Sequence, residues 1–424
     1  MSKYKLFRKA AIAAIIAGPL TAAMATNGYF SHGYGIKSKG MGGVGIALPQ
    51  DAMAAATNPA GSVNVGNRVD FGLDLFMPDR TVTYTSSYQG VAAGDYRSNQ
   101  REFYVPEFGY NKMISSDMAA GVVVYGNGGM NTNYGTNLIT SSGSNTYSNL
   151  EQLFIAPTVA KKIGDHSFGV SLNLIQQTFE AKGLEAFDDQ TNGQTLYGGF
   201  VTNKGQSTST GYGIKLGWSV QVSPDVTLGA VYTSRSRMSN FSNYKGLFAQ
   251  EGGFDIPENY GVGIAFKANP KTTVAVDLSQ INYGSVNSIA DPGKVFPAYS
   301  GTAMGGDKGS GFGWENMTVI KIGFSHEYSK GLTIRGGYNY GKMPLTNQNT
   351  YFNILAPATV EQHITLGGTW TLANKSELSV SYMYAPSASI AGVTTGQGTN
   401  SNPGFPVDLK MNQQALGIAY GWKF

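Results

Sequence analysis

The chain ends in Leu416-Gly417-Ile418-Ala419-Tyr420-Gly421-Trp422-Lys423-Phe424, where large apolar side chains alternate with small or polar ones. Successive side chains of a β-strand point to opposite faces, so one face of this run suits lipid and the other a polar or tightly packed interior. A last strand that ends on an aromatic residue is typical of outer-membrane β-barrels, where it pairs with the first strand and leaves no open edge. The run therefore predicts a barrel in the outer membrane.

The same period of two residues recurs along the chain. It gives fourteen candidate strands, at residues 68–77, 102–112, 118–127, 150–161, 166–179, 210–222, 226–238, 257–267, 271–283, 315–327, 331–342, 359–372, 376–385 and 412–424. Short Pro, Asn, Asp and Ser turns alternate with long Gly/Ser/Asn-rich segments between them, as periplasmic turns alternate with extracellular loops. We therefore expect an all-β, transmembrane antiparallel β-barrel of about 14 strands over residues 68–424. The alternative is a water-soluble β-sandwich, which requires neither this alternation nor the aromatic ending.

The first 25 residues have the pattern of a secretory signal peptide. A basic start precedes an apolar stretch at residues 10–20, which is followed by an Ala23-Met24-Ala25 cleavage site. The formal net charge of +4 includes the leader's four positive charges, Lys3, Lys5, Arg8 and Lys9, so subtracting them leaves zero for the mature chain. This balance gives no reason to expect a nucleic-acid partner.

The composition narrows the possible functions further. The chain contains no cysteine, which excludes disulfides and thiolate metal sites. Charged residues make up 13% of the sequence, while 57 glycines and 25 tyrosines suit a barrel with lipid outside and close packing inside. No cluster of His, Asp and Glu has the spacing of metal ligands, so we expect neither a metal nor another cofactor.

Residues 26–67, called here the hatch segment, precede the first strand and lack the two-residue period. They are rich in Gly and Ala, whose small size allows close backbone packing, and we expect them to plug the barrel lumen. The run Gly40-Met41-Gly42-Gly43-Val44-Gly45-Ile46-Ala47, the pair Asp51-Ala52 and the tripeptide Asn58-Pro59-Ala60 resemble the N-terminal hatch of the FadL/TodX outer-membrane transporters. The resemblance in layout covers the whole mature chain.

This resemblance implies passive uptake of hydrophobic compounds, namely long-chain fatty acids or aromatic hydrocarbons. It implies capture by the extracellular loops, binding in a lumen pocket and sideways exit through an inward kink in the third strand. Here the third candidate strand runs into Gly126-Asn127-Gly128-Gly129, and Gly126, Gly128 and Gly129 permit such a kink. An ordinary strand-to-loop turn is the alternative.

Two long loops, at residues 181–209 and 239–256, carry apolar side chains. These include Phe187, Phe200, Phe241, Leu247 and Phe248. On exposed loops such residues indicate a landing surface for an apolar ligand, although packing of the loops against one another explains them equally well.

The alternation also predicts which charged residues face the lumen. Lys215, Arg235, Arg237, Lys321 and Arg335 all point inward if the large apolar residues point to lipid. A fatty-acid carboxylate requires a cation with few acidic neighbours, and Lys321 and Arg335 on neighbouring strands are our first candidates, followed by Arg235 and Arg237. A structural ion pair is the alternative for each, and a hydrocarbon ligand requires no cation.

Two other functions remain possible from the sequence. A lipid-modifying enzyme has His363 as its one plausible base, yet no G-x-S-x-G motif occurs. A general diffusion pore requires an open lumen. We therefore expect a non-enzymatic transporter that is a monomer, because a plugged barrel gives no reason to expect the trimers of porins. The expected partners are a hydrophobic ligand, outer-membrane lipid and the assembly machinery that recognises the C-terminal strand.

Overall fold

The computed structural model describes residues 26–293, 302–393 and 405–424, and the predicted signal peptide lies outside them. The described strands that form the barrel wall are β1 (Arg68–Tyr84), β2 (Phe103–Met113), β3 (Met118–Asn133), β4 (Tyr147–Ile163), β5 (His166–Lys182), β6 (Ser207–Ser223), β7 (Val226–Thr233), β8 (Asn259–Asn269), β9 (Thr272–Ile281), β10 (Met317–Ser329), β11 (Leu332–Gly341), β12 (Gln362–Thr371), β13 (Glu377–Ile390) and β14 (Val407–Lys423).

Each wall strand pairs antiparallel with its neighbour in sequence, and β14 pairs with β1 to close the cylinder. That seam runs from Arg68 opposite Lys423 to Tyr84 opposite Val407. Closure satisfies the backbone groups along both terminal strands, which a lipid environment requires. The prediction of a closed antiparallel barrel of 14 strands is confirmed. Two short strands, Gly94–Arg97 and Arg237–Met238, add to β1 and β6 above the wall.

Helical structure is short and lies in the hatch segment and the loops. The α-helices are α1 (Ile36–Lys39), α2 (Ala54–Thr57), α3 (Ser62–Val65), α4 (Ala249–Gly252) and α5 (Asn287–Ala290). The 3-10 turns are Pro59–Gly61, Glu185–Phe187, Ser242–Tyr244, Tyr283–Ser285, Asn347–Asn349 and Phe352–Leu355. Within the described ranges, no helix is long and apolar enough to cross a bilayer.

Several strands extend beyond the segments that the alternation predicted. The β1 strand continues to Tyr84, seven residues past the predicted end at Met77. Its outward positions above Met77 are Asp79, Thr81 and Thr83, and Asp79 pairs with the exposed Arg97. Polar outward side chains mark the upper border of the lipid-facing band, whereas the hydrogen-bonded ladder continues above it.

The hatch segment lies inside the barrel. Its residues 26–33 are all buried, and α1 contacts β12, β13 and β14. Two wall glycines allow the closest approach: a Cβ atom at Gly217 would lie 2.0 Å from Asn58 Oδ1, and one at Gly169 would lie 2.3 Å from the carbonyl carbon of Pro59. The absence of a side chain on β5 and β6 therefore makes room for the Asn58-Pro59-Ala60 tripeptide.

Candidate functional site

The barrel wall is interrupted between β2 and β3. These strands pair from Met113 opposite Ala119 up to Glu107 opposite Tyr125 and no further. Above that point β2 pairs with β1 alone, and β3 pairs with β4 alone. The pairing of β3 with β4 has a register shift between Gly126 and Gly128, so Asn127 is an extra residue on β3. The unpaired stretch therefore starts at a bulge made by glycines, because these residues tolerate the local change in backbone direction.

Burial shows where this part of β3 goes. Most wall strands alternate between buried and lipid-facing positions, but every β3 residue from Tyr125 to Thr132 is buried. A strand segment without an exposed side is covered on both of its faces. The glycines at 126, 128 and 129 thus lie in a segment that is buried on both faces and no longer pairs with β2, called here the displaced segment.

The start of the hatch segment occupies the free edge of this displaced segment. Ser31 N donates to Asn127 O at 2.9 Å, and Gly129 N donates to Tyr29 O at 3.2 Å. The Tyr34 hydroxyl donates to Asn127 Oδ1 at 2.6 Å. The hatch segment therefore provides the backbone partners that β2 does not provide here.

A lumen cavity of about 90 Å³ lies beside this contact. It exceeds the roughly 10–15 Å³ of such space that one water needs. Its apolar lining includes Phe30, Tyr34, Ile46, Tyr125, Phe154 and Ile281, and its polar lining includes Asn127, Asn173, Lys215, Thr233, Asp277 and Lys321. Apolar walls with a few polar groups are the usual composition of a small-molecule site.

Several polar atoms of the cavity are buried without a well-formed hydrogen bond in the described part of the chain. These atoms are Asn173 Nδ2, Asn173 Oδ1, Thr233 Oγ1 and Asp277 Oδ1. Buried polar groups in proteins are nearly always paired, because leaving one unpaired costs about 1–3 kcal/mol. Orphaned donors and acceptors around one cavity indicate a place where a ligand or water completes the pairing.

Lys215 is the cation that the sequence reasoning passed over. Its ammonium donates to the carbonyl oxygen of Ala56 and lies 5.8 Å from the ring centroids of both Tyr34 and Tyr125. No acidic group among the described residues lies within 4 Å of it. The alternation already placed Lys215 inward, but its lack of an acidic partner appears only when the hatch segment is in position.

The structure places the two first-choice cations against the hatch segment. Lys321 lines the cavity and donates to Gly43 O at 3.3 Å. Arg335 is buried near the periplasmic turns, where its Nε donates to Gln50 Oε1 at 2.9 Å and its Nη1 to Thr369 Oγ1 at 2.7 Å. Lys321 is therefore available to the cavity, whereas Arg335 holds the hatch segment.

Arg235 and Arg237 lie apart from the cavity, at the extracellular rim. Arg235 pairs with Asp255 at 2.8 Å. Arg237 is exposed and lies opposite Tyr212, which is 62% exposed on the outer face of β6. The predicted inward orientation of Arg237 is wrong, because a bulge after Thr233 adds one residue and reverses which face the following side chains occupy.

The loop residues predicted to contact ligand occupy two environments. Phe187, Phe241, Leu247 and Phe248 are buried in an aromatic cluster that fills the extracellular end of the barrel. Phe179 packs against Phe241 and Phe248 with ring centroids 5.7 and 4.7 Å apart. Phe200 is 37% exposed, and the Lys245 ammonium lies 4.2 Å from its ring centroid. Packing of loop against loop thus accounts for four of the five residues in this structure.

The Asn58-Pro59-Ala60 tripeptide fastens the hatch segment to the wall. Asn58 Nδ2 donates to Ile46 O at 2.7 Å and to Trp218 O at 3.1 Å, and Asn58 Oδ1 accepts from Ala60 N at 3.1 Å. All three residues are buried, and Pro59 begins the 3-10 turn that Asn58 caps. The motif therefore acts through one asparagine that links two parts of the hatch segment to β6.

Buried ion pairs hold Lys37 and Lys39 of the hatch segment to the barrel wall. Lys37 pairs with Glu377 at 2.5 Å, and Lys39 pairs with Asp74 at 2.9 Å and Glu107 at 3.5 Å. Each of these carboxylates belongs to a wall strand. Since breaking a buried pair leaves an uncompensated charge, this part of the hatch segment is tightly anchored.

His32 and His363 form a stacked pair between hatch segment and wall, with ring centroids 5.7 Å apart and planes at 9°. Both are buried, and no ring nitrogen of either has a well-formed hydrogen bond within the described residues. Burial, and then the nearby cations Lys39 and Lys321, lower the pKa of His32 from 6.5 to about 3. Among the described residues, no serine or carboxylate lies within hydrogen-bond distance of the His363 ring nitrogens.

The fold is similar to that of several solved outer-membrane transport proteins. The Pseudomonas putida toluene transporter TodX shares 18% identity over 93% of this chain and 99% of its own, with a TM-score of 0.67. A Pseudomonas aeruginosa FadL homologue shares 15% identity over 94% and 100%, with a TM-score of 0.67. The Ralstonia pickettii toluene transporter TbuX shares 18% identity over 93% and 99%, with a TM-score of 0.63.

At these identities the solved structures establish the fold alone. No curated protein sequence matches the chain significantly. A model of the family described as outer membrane protein transport protein (OMPP1/FadL/TodX) matches residues 14–424. The chain therefore belongs to the OMPP1/FadL/TodX family of outer-membrane transport proteins.

Proposed function

We propose that this protein takes up hydrophobic compounds passively across the outer membrane. Ligand enters from the extracellular loops, binds in the lumen cavity and leaves sideways through the unpaired stretch between β2 and β3. One observation carries the proposal: Tyr125 and Asn127 belong both to the lining of the cavity and to the displaced part of β3. A ligand in the cavity is therefore next to the interruption of the wall.

The hatch contact at this place supports a closed state that can open. Backbone hydrogen bonds of Tyr29 and Ser31, the Tyr34 hydroxyl and the packing of Tyr34 on Tyr125 hold residues 27–34 on β3. The Tyr283 hydroxyl also accepts from Tyr29 N at 3.2 Å and donates to Asn27 O at 2.5 Å. Each such bond contributes about 0.5–1.5 kcal/mol net, whereas removing one partner of the buried ion pairs of Lys37 and Lys39 costs about 3–5 kcal/mol. We infer that opening moves residues 27–34 while Lys37 and Lys39 stay anchored by their ion pairs.

The cavity favours a ligand with a carboxylate over a plain hydrocarbon. Lys215 and Lys321 both face it, and Asp277 is the acidic residue among its lining groups. Asp277 Oδ2 already accepts from Gly45 N at 2.8 Å and from Ile46 N at 3.1 Å. A net positive, largely apolar cavity suits the head of a fatty acid.

Deleting Asn127 tests the exit route. This deletion removes the extra residue of the bulge, so that the residues after Gly126 can continue in register with β4 and approach β2. We expect uptake of both oleate and toluene into proteoliposomes to fall to the background of empty liposomes. The matched control deletes Asn192, which lies in an exposed loop, and should leave uptake unchanged. Normal uptake by a folded Asn127 deletion variant would contradict lateral exit.

The Lys215→Met substitution tests the ligand class separately. Loss of a charge-assisted hydrogen bond worth about 1.5–3 kcal/mol should lower oleate affinity at least about tenfold and leave toluene uptake unchanged. Lys182→Met, at an exposed lysine, is the control. If oleate and toluene uptake respond equally, the carboxylate assignment fails while uptake itself stands.

A further inference from the structure

We propose that Arg235 and Arg237 form a binding site on the outside of the barrel for the phosphorylated headgroup of an outer-leaflet lipid. This inference does not depend on the transported substrate. It starts from the bulge after Thr233, which turns Arg237 outward and sets it opposite Tyr212. A residue that sequence alternation assigns to the lumen thereby reaches the lipid side.

Tyrosines show that Arg237 lies at headgroup height. The uppermost large lipid-facing residue is Tyr212 on β6, Tyr232 on β7 and Tyr260 on β8, and they are 62%, 42% and 47% exposed. Below Tyr212 on the same face lie Ile214 and Leu216, and above it lies Thr210. Tyrosine at this border is typical of the membrane–water interface of barrels. Arg237 therefore meets lipid headgroups, not acyl chains.

The two guanidinium groups share one polar cleft. Its lining includes Arg235, Arg237, Asn240, Gln250 and Asp255. Arg235 is held in place, since its Nε donates to Asp255 Oδ2 at 2.8 Å and its Nη1 to Ser285 O at 2.7 Å. Arg235 therefore has a defined position, whereas the side chain of Arg237 is free to adjust to a bound group.

The charge balance of the cleft leaves one positive charge for a ligand. Asp255 is already used, because it accepts from Arg235 and from Met238 N at 2.8 Å. Arg237 has no ion pair and no hydrogen bond within the described ranges. Arginine binds phosphate in a bidentate manner, and the neighbouring amide side chains are suited to sugar hydroxyls. A phosphorylated glycolipid headgroup fits both features.

Native mass spectrometry of the intact protein in detergent tests this site. The probe is a diphosphorylated acylated glucosamine disaccharide, compared with its dephosphorylated form. We expect Arg237→Gln to weaken binding of the phosphorylated probe about tenfold, with Lys204→Gln, at an exposed loop lysine, binding like the parent. Because Arg237 is exposed, this substitution leaves the barrel intact, which heat-dependent gel mobility verifies.

Three results would overturn the proposal. Equal binding of the phosphorylated probe by the parent and by Arg237→Gln would remove the arginine from the site. Equal binding of the dephosphorylated probe would show that the acyl chains alone are recognised. Complete displacement of the probe by millimolar inorganic phosphate would show a site for a free anion, not for a lipid headgroup.

Discussion

Replacing His32 with phenylalanine tests how acid affects the seated hatch segment. His32 stacks on His363 across the boundary between hatch segment and wall, and phenylalanine preserves a stacked ring without a titratable group. In the parent, the ring of His32 is 1% exposed and lies near Lys39 and Lys321, so protonation is unfavourable while the hatch segment is seated. Once residues 27–34 move into water, protonation becomes easy.

The sign and size of the effect follow from the pKa of His32. Seating lowers this pKa from 6.5 to about 3, so the seated state binds fewer protons than the released state. The contribution to seating is complete above pH 6.5 and is lost as the pH falls toward 3. At pH 5, which is 1.5 units below the pKa of the released histidine, the free energy that favours seating falls by about 2 kcal/mol, at about 1.4 kcal/mol per unit. Release of the hatch segment then becomes about 30-fold more favourable.

Asp51 in the hatch segment acts in the opposite direction. Burial, and then the neighbouring Asp70, raise the pKa of Asp51 from 3.8 to about 6, so its protonation between pH 6 and 4 stabilises the part of the hatch segment that stays anchored. A pH scan of the parent alone therefore mixes two opposed contributions. The difference between the parent and His32→Phe isolates the histidine, because Asp51 is the same in both.

Hydrogen–deuterium exchange of the peptide containing residues 27–35, corrected for intrinsic rates, measures the release. Between pH 7.5 and pH 5 the protection factor of the parent should fall about 30-fold further than that of His32→Phe. Residues 36–47, anchored by Lys37 and Lys39, should change little in either protein. If both proteins lose protection in parallel, His32 does not control seating and the argument from its burial is wrong.

Three further predictions concern stability and conductance. Gly217→Ala brings a Cβ within 2.0 Å of Asn58 Oδ1 and should loosen the hatch segment and raise single-channel conductance, whereas Gly368→Ala, whose Cβ meets Trp370 at 3.4 Å, should not. Glu377→Gln removes the partner of buried Lys37 and should cost about 3–5 kcal/mol, read as a lower unfolding midpoint, while Asp79→Asn at an exposed pair should change it little. The intact protein should conduct far less in planar bilayers than a variant lacking residues 27–67, and equal conductance would favour a diffusion pore.

The barrel could be predicted from the sequence because lipid imposes its pattern on every second residue. On β10, for example, Ile320, Ile322 and Phe324 are exposed to lipid, whereas Val319 and Gly323 face inward and are buried. The alternation of apolar and polar residues ends where a strand leaves the lipid. Above Met77 the outward side chains of β1 are polar, so the apolar alternation does not indicate that the strand continues to Tyr84.

The predicted orientation of Arg237 is wrong because the strand register changes before this residue. A single bulge between Thr233 and Arg237 reverses the face on which the following side chains lie. No residue type in Ser234-Arg235-Ser236 indicates this bulge. Gly126-Asn127-Gly128-Gly129, by contrast, carries a visible signal, because consecutive glycines rarely serve a regular strand. A bulge built from residues with ordinary side chains is therefore invisible to pattern analysis, whereas one built from glycine is not.

The candidate lumen site depends on contacts between residues that are far apart in sequence, which no local sequence pattern shows. Lys215 and Lys321 look equivalent in the sequence, since each is a single cation on an alternating strand. They differ because Lys321 lies opposite Asp277 on the neighbouring strand, whereas Lys215 lies opposite Thr233. Among the described residues, the contacts of the Lys215 ammonium are a hatch carbonyl and the rings of Tyr34 and Tyr125. One of these rings belongs to the hatch segment and the other to the start of the displaced part of β3, so a ligand that approaches Lys215 contacts both elements whose separation would open the wall.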